Sequence, residues 1–260
     1  MAQRGKKQNG FTLIELIIVI VLLGIVGAMG AGFISEAFRG FFDTDVRMEM
    51  YEEGKSAMVR MEREIHIALP NAVQINGNGV EIGVVDENAM AGVFGQYTEE
   101  HPTGTTTITD QTAPLGLTVA GNNPLVSIYN TSWNDFAVAA DSRVYQVTNP
   151  GTNPMILNRI IVSASPHGRY YAVRDEAVRF SVANEVLSRS TAPVTSGGNL
   201  GVFGGAQTLA QNIIPSGALP FFTYNPGTST RNSVVSIHFA ISRNGETVNF
   251  HKEVQIRNVP

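Results

Sequence analysis

The longest uncharged apolar stretch in the chain runs from Leu16 to Ile34, 19 consecutive residues. At about 1.5 Å of rise per residue, a helix over this run matches the roughly 30 Å hydrocarbon core of a bilayer and predicts a membrane span. Immediately before it, Gly10-Phe11-Thr12-Leu13-Ile14-Glu15-Leu16 carries a single charge, Glu15. A carboxylate within a membrane helix costs about 2.5 to 3.5 kcal/mol on insertion scales, so Glu15 points to a task and a partner. Beyond Ile34 the pattern becomes amphipathic. Phe38, Phe41, Phe42 and Val46, then Met58, Met61, Ile65 and Leu69, recur at three- and four-residue steps, the period of one helix face. The charges between Arg47 and Glu64 fall on other faces and are expected to be solvated, with Arg39–Asp43 and Arg60–Glu64 spaced to pair one turn apart. Pro70 lacks an amide donor and disfavours helix at Leu69, so one helix is expected from Phe11 to Leu69.

Four glycines, Gly24, Gly27, Gly30 and Gly32, interrupt the apolar run. Each costs about 1 kcal/mol against alanine in an aqueous helix, whereas in lipid small residues admit close helix contact. The segment is therefore suited either to tight packing or to local melting.

After Pro70 the texture changes to short apolar runs separated by Gly, Asn, Pro, Ser and Thr, which predicts β structure with long loops. Expected strands are Ala72–Ile75, Val80–Val85, Leu125–Tyr129, Arg143–Val147, Leu157–Ser163, Arg169–Arg174, Val178–Val182 and Val186–Arg189. The clearest signal is a hairpin at the end. Val235, Ile237, Phe239 and Ile241 alternate with polar residues, Asn244-Gly245 supplies a type I′ turn, and Val248, Phe250, Val254 and Ile256 lie on the return. A two-residue loop sets Arg243 opposite Glu246, Ile241 opposite Val248, Phe239 opposite Phe250 and Val235 opposite Val254, giving one core face. The expected fold class is α+β, a long N-terminal helix packed on an antiparallel β-rich head. Its expected divisions are a leader at 1–10, a membrane helix at 11–34, an amphipathic helix at 35–70 and a head at 71–260.

The leader alters this picture. Met1 to Gly10 carries Arg4, Lys6 and Lys7 and no acid, which holds the N-terminus in the cytoplasm. A secretory signal is cut after its apolar region, but here the small residue Gly10 precedes it. Cleavage between Gly10 and Phe11 would remove the leader and keep the anchor. The remainder would hold 15 basic against 22 acidic residues, a formal charge of −7, which disfavours nucleic-acid partners. Cysteine is absent, so an exported head must hold together without disulfides.

The run GFTLIELIIVIVLLGI closely resembles the N-terminal signal of type IV prepilins and of the pseudopilins of type II secretion. That resemblance implies cleavage after Gly10 by a membrane prepilin peptidase, methylation of the new amino terminus on Phe11, and recruitment to a growing filament through Glu15, which pairs with the Phe11 amine of a neighbour. Own-chain pairing of Glu15 one turn away is the plain alternative. The implied partners are the peptidase, other minor and major pilins, the inner-membrane assembly platform and the inner membrane itself. The head would lie in the periplasm before the subunit is extracted into a filament. Many major pilins carry a C-terminal disulfide loop and a proline in the first helix. This chain has neither cysteine nor that proline, with Gly32 at the corresponding place, and it is long, all of which suits a minor subunit. Arg60 to Val73 resembles the helix end of J-type minor pseudopilins. Together with Tyr224 to Asn232 and Val254 to Pro260, it is most similar to minor pilins of mannose-sensitive haemagglutinin pilus systems. The implied work is initiation of pilus assembly in a tip complex that supports surface attachment.

Candidate chemistry in the head is sparse. The hairpin register places His238 opposite His251 with Glu253 two residues along, a potential zinc or copper ligand set, although a polar outer face is the commoner meaning. His66, His101 and His167 show no ligand spacing. No cysteine nucleophile, HExxH, GxSxG or P-loop occurs, so neither an enzyme nor a cofactor is expected. The glycine-rich stretch Gly197–Gly205 and residues Thr103–Thr107 read as mobile surface loops. Acidic residues never form the alternating pattern of a calcium loop.

Overall fold

The constraint that Pro70 places on Leu69 decides where the first helix stops. In the computed structural model, which describes residues 10–89, 94–111, 124–227 and 231–256, helix α1 spans Leu13–His66. Leu69 and Pro70 already belong to strand β1 (Ala68–Asn76), three residues earlier than the Leu69 end expected. The extended conformation preferred before proline is used productively, because Ala68 pairs with Val84 and the Val85 amide donates to the Ile67 carbonyl at 3.0 Å.

The strands that follow are β2 (Gly79–Val85), β3 (Gly95–Gln96), β4 (Thr107–Ile108) and β5 (Leu125–Ile128), then a one-turn helix α2 (Trp133–Ala137) and β6 (Val144–Gln146). Next come β7 (Met155–Ile156), β8 (Arg169–Ala183), β9 (Val186–Thr195), β10 (Asn199–Leu200), β11 (Gly204–Gln211), β12 (Ile213–Ile214), β13 (Phe222–Asn225), β14 (Ser233–Arg243) and β15 (Glu246–Ile256). The pairings of described strands are antiparallel throughout. One sheet runs β1-β2-β8-β5-β6, with β9 also on β8 and β11 on β9; a second sets β12, β13 and β15 around β14; β4 and β7 pair separately. The α+β architecture expected from the sequence is the one observed.

Contacts divide the chain into two units, Met1–Glu49 and Met50–Pro260. Within the second unit, α1 buries Met50, Gly54, Ala57, Met58, Met61 and Ile65. Gly54 marks a close approach to the terminal hairpin. The Phe250 ring lies where a side chain would sit, with Cζ only 2.1 Å from an ideal Cβ position. Phe250 in turn stacks on Phe239 at 5.0 Å and on Tyr51 at 6.3 Å. Two further clusters fill the large sheet, one around Tyr145, Tyr170 and Ile128 and one around Phe136, Trp133 and Leu69.

Several expectations are corrected here. The charged residues of α1 are not simply a solvated face. Glu64 is buried and accepts from Arg189 at 2.8 Å, Glu53 accepts from Arg243 at 2.9 Å and from the Gln211 amide at 2.7 Å, and Glu62 meets Lys252 at 3.0 Å. These three acids join the helix to β9, β11, β14 and β15. Phe38, Phe41 and Phe42 are 60–68% exposed, and the first buried helix residue is Met50.

The two strands expected at Arg169–Arg174 and Val178–Val182 are one. Glu176 pairs opposite Pro193 and lies 3.7 Å from the Arg189 guanidinium, so the strand continues through Asp175 and Glu176. The strand expected at Leu157–Ser163 does not form. Only Met155–Ile156 is a strand, because the backbone donors beyond it go elsewhere: Ile161 to the Thr105 carbonyl at 2.8 Å and Val162 to the Tyr145 hydroxyl at 3.0 Å. The Gly197–Gly205 stretch is no free loop. Gly197 and Gly198 take positive φ to turn β9 into β10, and a Cβ on Gly198 would meet Ser142 at 2.5 Å, while the Arg179 guanidinium covers the Phe203 ring at 4.4 Å.

Candidate functional site

The N-terminal unit presents its chemistry at the start of α1. Gly10 and Phe11 precede the helix, and Phe11 is 87% exposed. Thr12 is the N-cap. Its backbone N–H and its hydroxyl both donate to Oε2 of Glu15, at 2.9 and 2.8 Å, and the Glu15 amide lies 3.4 Å from the Thr12 hydroxyl oxygen that it donates to. This is a reciprocal capping box, which satisfies two amides that a helix start otherwise leaves orphaned. It also places the carboxylate at the positive end of the helix dipole. The Thr-x-x-Glu spacing was the signal for this role in the sequence. Within the folded subunit Glu15 thus pairs with its own chain, one turn back.

The helix then continues without a break through Gly24, Gly27, Gly30 and Gly32, each of which has open space where a Cβ would stand. The melting that these glycines could permit is absent from this helix. An 18-residue window here is apolar enough to cross a membrane and none of it is buried. An apolar surface of this length, uncovered by protein, is what lipid or neighbouring helices must cover.

In the head, the predicted register of the terminal hairpin is the register observed, from Arg243↔Glu246 to Val235↔Val254, and it sets His238 across from His251. The two imidazoles stack, with centroids 4.4 Å apart and planes 10° from parallel. Ligand lone pairs lie in the ring plane, so one ion about 2 Å from a nitrogen of each ring cannot lie in both planes. No group of three His, Cys, Asp or Glu suited to a metal occurs among the described residues. The stack has an electrostatic consequence. Partial burial first, then the neighbouring His251, hold the His238 imidazole below its ordinary pKa, with Glu253 pulling the other way. His66 serves structure, its Nδ1–H donating to the Gln255 carbonyl at 3.1 Å.

The most sequestered charges are structural as well. Glu81, only 2% exposed, is held by Arg179, with Nε at 2.8 Å, and by Gln74 and Asn76 at 2.6 and 3.0 Å. Asp135 closes a second capping box at α2 and takes bonds from Thr131. Each carboxylate is fully engaged by fixed donors, an arrangement that stabilises a fold and leaves no free base.

A long apolar N-terminal helix followed in sequence by an antiparallel β-rich head is the α+β arrangement expected of a pilin-like chain. Residues 5–31 match the family described as the prokaryotic N-terminal methylation motif. The match covers the N-terminal segment alone, and the helix that this segment opens is long and apolar enough to cross a membrane. No curated protein and no solved structure matches it.

Proposed function

We propose that this chain is a minor pilin that initiates assembly of a type IV pilus of the mannose-sensitive haemagglutinin type, working in a tip complex that supports surface attachment. In this reading residues 1–10 are a leader removed by a prepilin peptidase, Phe11 becomes the methylated amino terminus, and 11–34 anchors the subunit in the inner membrane until extraction. The head then lies in the periplasm, and other pilins and the inner-membrane assembly platform are the partners. Glu15 is the assembly contact, pairing with the Phe11 amine of a neighbour. The observation that carries the reading is the coincidence of the methylation motif at 5–31 with an uncovered apolar helix from Leu13. The absence of cysteine and the 260-residue length support a minor subunit over a bulk one, and the resemblance at Tyr224–Asn232 and at the C-terminus supports the O-type minor pilin of that system.

The resemblance of Arg60–Val73 to J-type minor pseudopilins favours a second reading, a secretion pseudopilus subunit. Deleting the gene while counting surface pili and assaying secretion separates the two: loss of pili with normal secretion supports the pilus, and the converse supports the pseudopilus. Gly10→Ala is expected to leave an uncleaved chain, detected as the intact mass in membranes, and Glu15→Val to permit processing but lower incorporation. Unchanged processing in the first and unchanged filaments in the second would refute the reading.

A further inference from the structure

Among the described residues asparagine precedes glycine three times, at Asn76-Gly77, Asn78-Gly79 and Asn244-Gly245. The dipeptide carries a reaction of its own. A glycine amide nitrogen has no Cβ beside it and can attack the side-chain Cγ of the preceding asparagine, closing a five-membered imide. All three asparagines are exposed, so exposure does not choose between them. Hydrogen bonding does.

Asn76 is held at its side chain. Its Nδ2 donates to Oε1 of buried Glu81 at 3.0 Å, and Arg179 and Gln74 fix that carboxylate in turn. This bond to a charged acceptor must break before Cγ can turn towards the Gly77 nitrogen, which slows the attack by about tenfold or more. Asn78 is held at its backbone. Asn76 and Gly79 flank a two-residue turn and exchange both backbone bonds, so the Gly79 N–H that would attack is already donated. The Asn78 carbonyl also accepts from the Val182 amide of β8 at 3.0 Å, which ties this turn to a second strand. Asn244 has neither restraint. It stands at the tip of the terminal hairpin with φ 55°, followed by Gly245 with φ 85°, the type I′ pair. Neither its side chain nor the Gly245 N–H has a hydrogen-bond partner among the described residues. Rotation that brings Cγ to the nitrogen opens the Arg243–Glu246 pair at the end of the ladder, where opening costs least.

We propose that Asn244 is a site of spontaneous covalent modification, deamidation through an imide with Gly245, and that the change loosens the hairpin tip from α1. Hydroxide takes the Gly245 amide proton, the nitrogen bonds to Cγ, and the Cγ–Nδ2 bond breaks as ammonia leaves. Water then opens the ring. The sum is amide plus water to carboxylate plus ammonium, with no oxidant or reductant. Opening at Cγ gives aspartate. Opening at the backbone carbonyl gives isoaspartate, whose main chain runs through Cβ and Cγ and is one carbon longer. A two-residue turn has a fixed length, so the longer chain displaces Arg243, whose guanidinium holds Glu53 of α1 at 2.9 Å.

The test ages the full wild-type chain in detergent at mildly alkaline pH and follows each asparagine by peptide mass spectrometry. Digestion in heavy-oxygen water marks any conversion that occurs during handling. Asn244 is expected to convert about tenfold faster than Asn76 and Asn78, with an isoaspartate peptide that separates from the aspartate one. In denaturant the hydrogen bonds are gone, and the three rates should agree within about threefold. Equal rates in the folded chain, a slower Asn244, or the same preference after unfolding overturns the assignment. Asn244→Gly removes the reacting amide and keeps the turn, since Gly-Gly suits type I′. Aged wild-type protein should unfold at a lower temperature than fresh protein, and aged Asn244→Gly should match its own fresh sample. Unchanged unfolding of the wild-type chain at full conversion overturns the loosening of the tip.

Discussion

Gly54→Ala tests the packing of α1 against the terminal hairpin. In an open helix the substitution would stabilise by about 1 kcal/mol, because alanine restricts the unfolded chain and glycine does not. At Gly54 the new Cβ would stand 2.1, 2.3 and 2.7 Å from three carbons of the Phe250 ring. Ordinary carbon contacts are about 3.5 to 4.0 Å, so ring or helix must yield by about 1.5 Å. Phe250 has little room, being stacked on Phe239 at 5.0 Å and on Tyr51 at 6.3 Å. Overpacking of this kind costs about 1 to 3 kcal/mol, and a ring held on both sides belongs at the upper end. The net expectation is a loss of about 2 kcal/mol, or a Tm lowered by about 4 to 8 °C for a unit of this size. Thermal unfolding of the full chain in detergent reads it. A double-mutant cycle isolates the cause: with Phe250→Leu, whose shorter side chain clears the site, Gly54→Ala should cost at least 1 kcal/mol less. Wild-type stability in Gly54→Ala, or an equal loss in both backgrounds, would refute the assigned contact.

Three other outcomes follow from the geometry. Among the described residues, Arg189→Ala leaves buried Glu64 with only the 3.3 Å contact to Arg60 and should destabilise by about 3 kcal/mol, read as a lower denaturant midpoint with unchanged slope. The depressed pKa of His238 means that the unfolded chain takes up its proton first as pH falls; stability from this group is present above the ordinary imidazole value of about 6.5 and is lost through the lower folded value. NMR titration should find His238 below that ordinary value, and His238→Thr should flatten the acid side of the stability profile. Thr12→Ala removes the cap at the start of α1 and should destabilise that end by about 1 kcal/mol, seen as faster amide exchange from Leu13 to Leu16.

Periodicity made the terminal hairpin legible to the residue, because an Asn-Gly turn admits one register and alternation admits one core face. It made the long apolar N-terminal helix legible for the same reason, a long uninterrupted pattern. What escaped were features set by distant partners. Gly54 looks like any helical glycine until Phe250, nearly 200 residues away, is found beneath it. The acids of α1 repeat like a solvated face, and only the fold brings Arg189, Arg243 and Lys252 across to them. Leu157 to Ser163 has the composition of a strand, yet its donors are met by Thr105 and a tyrosine hydroxyl. At the processing site the reverse holds: Gly10, Phe11 and Glu15 are recognisable only as sequence, and the fold adds the Thr12 cap.

That cap bears on how a charge can be kept at the edge of a bilayer. A bare carboxylate in an apolar medium is costly, and one already holding two hydrogen bonds from its own helix start is far less so. Both Thr12 donors fall on Oε2, so Oε1 of Glu15 takes no hydrogen bond among the described residues. Own-chain capping and a contact between subunits are therefore compatible roles for one residue. Under the proposed function the first fixes the carboxylate in position while the subunit waits in the membrane, and the second uses the remaining oxygen when the amine freed by cleavage before Phe11 arrives on a neighbour. The same division explains why Glu15→Val should impair incorporation more than Thr12→Ala: the first loses both roles, the second only the cap.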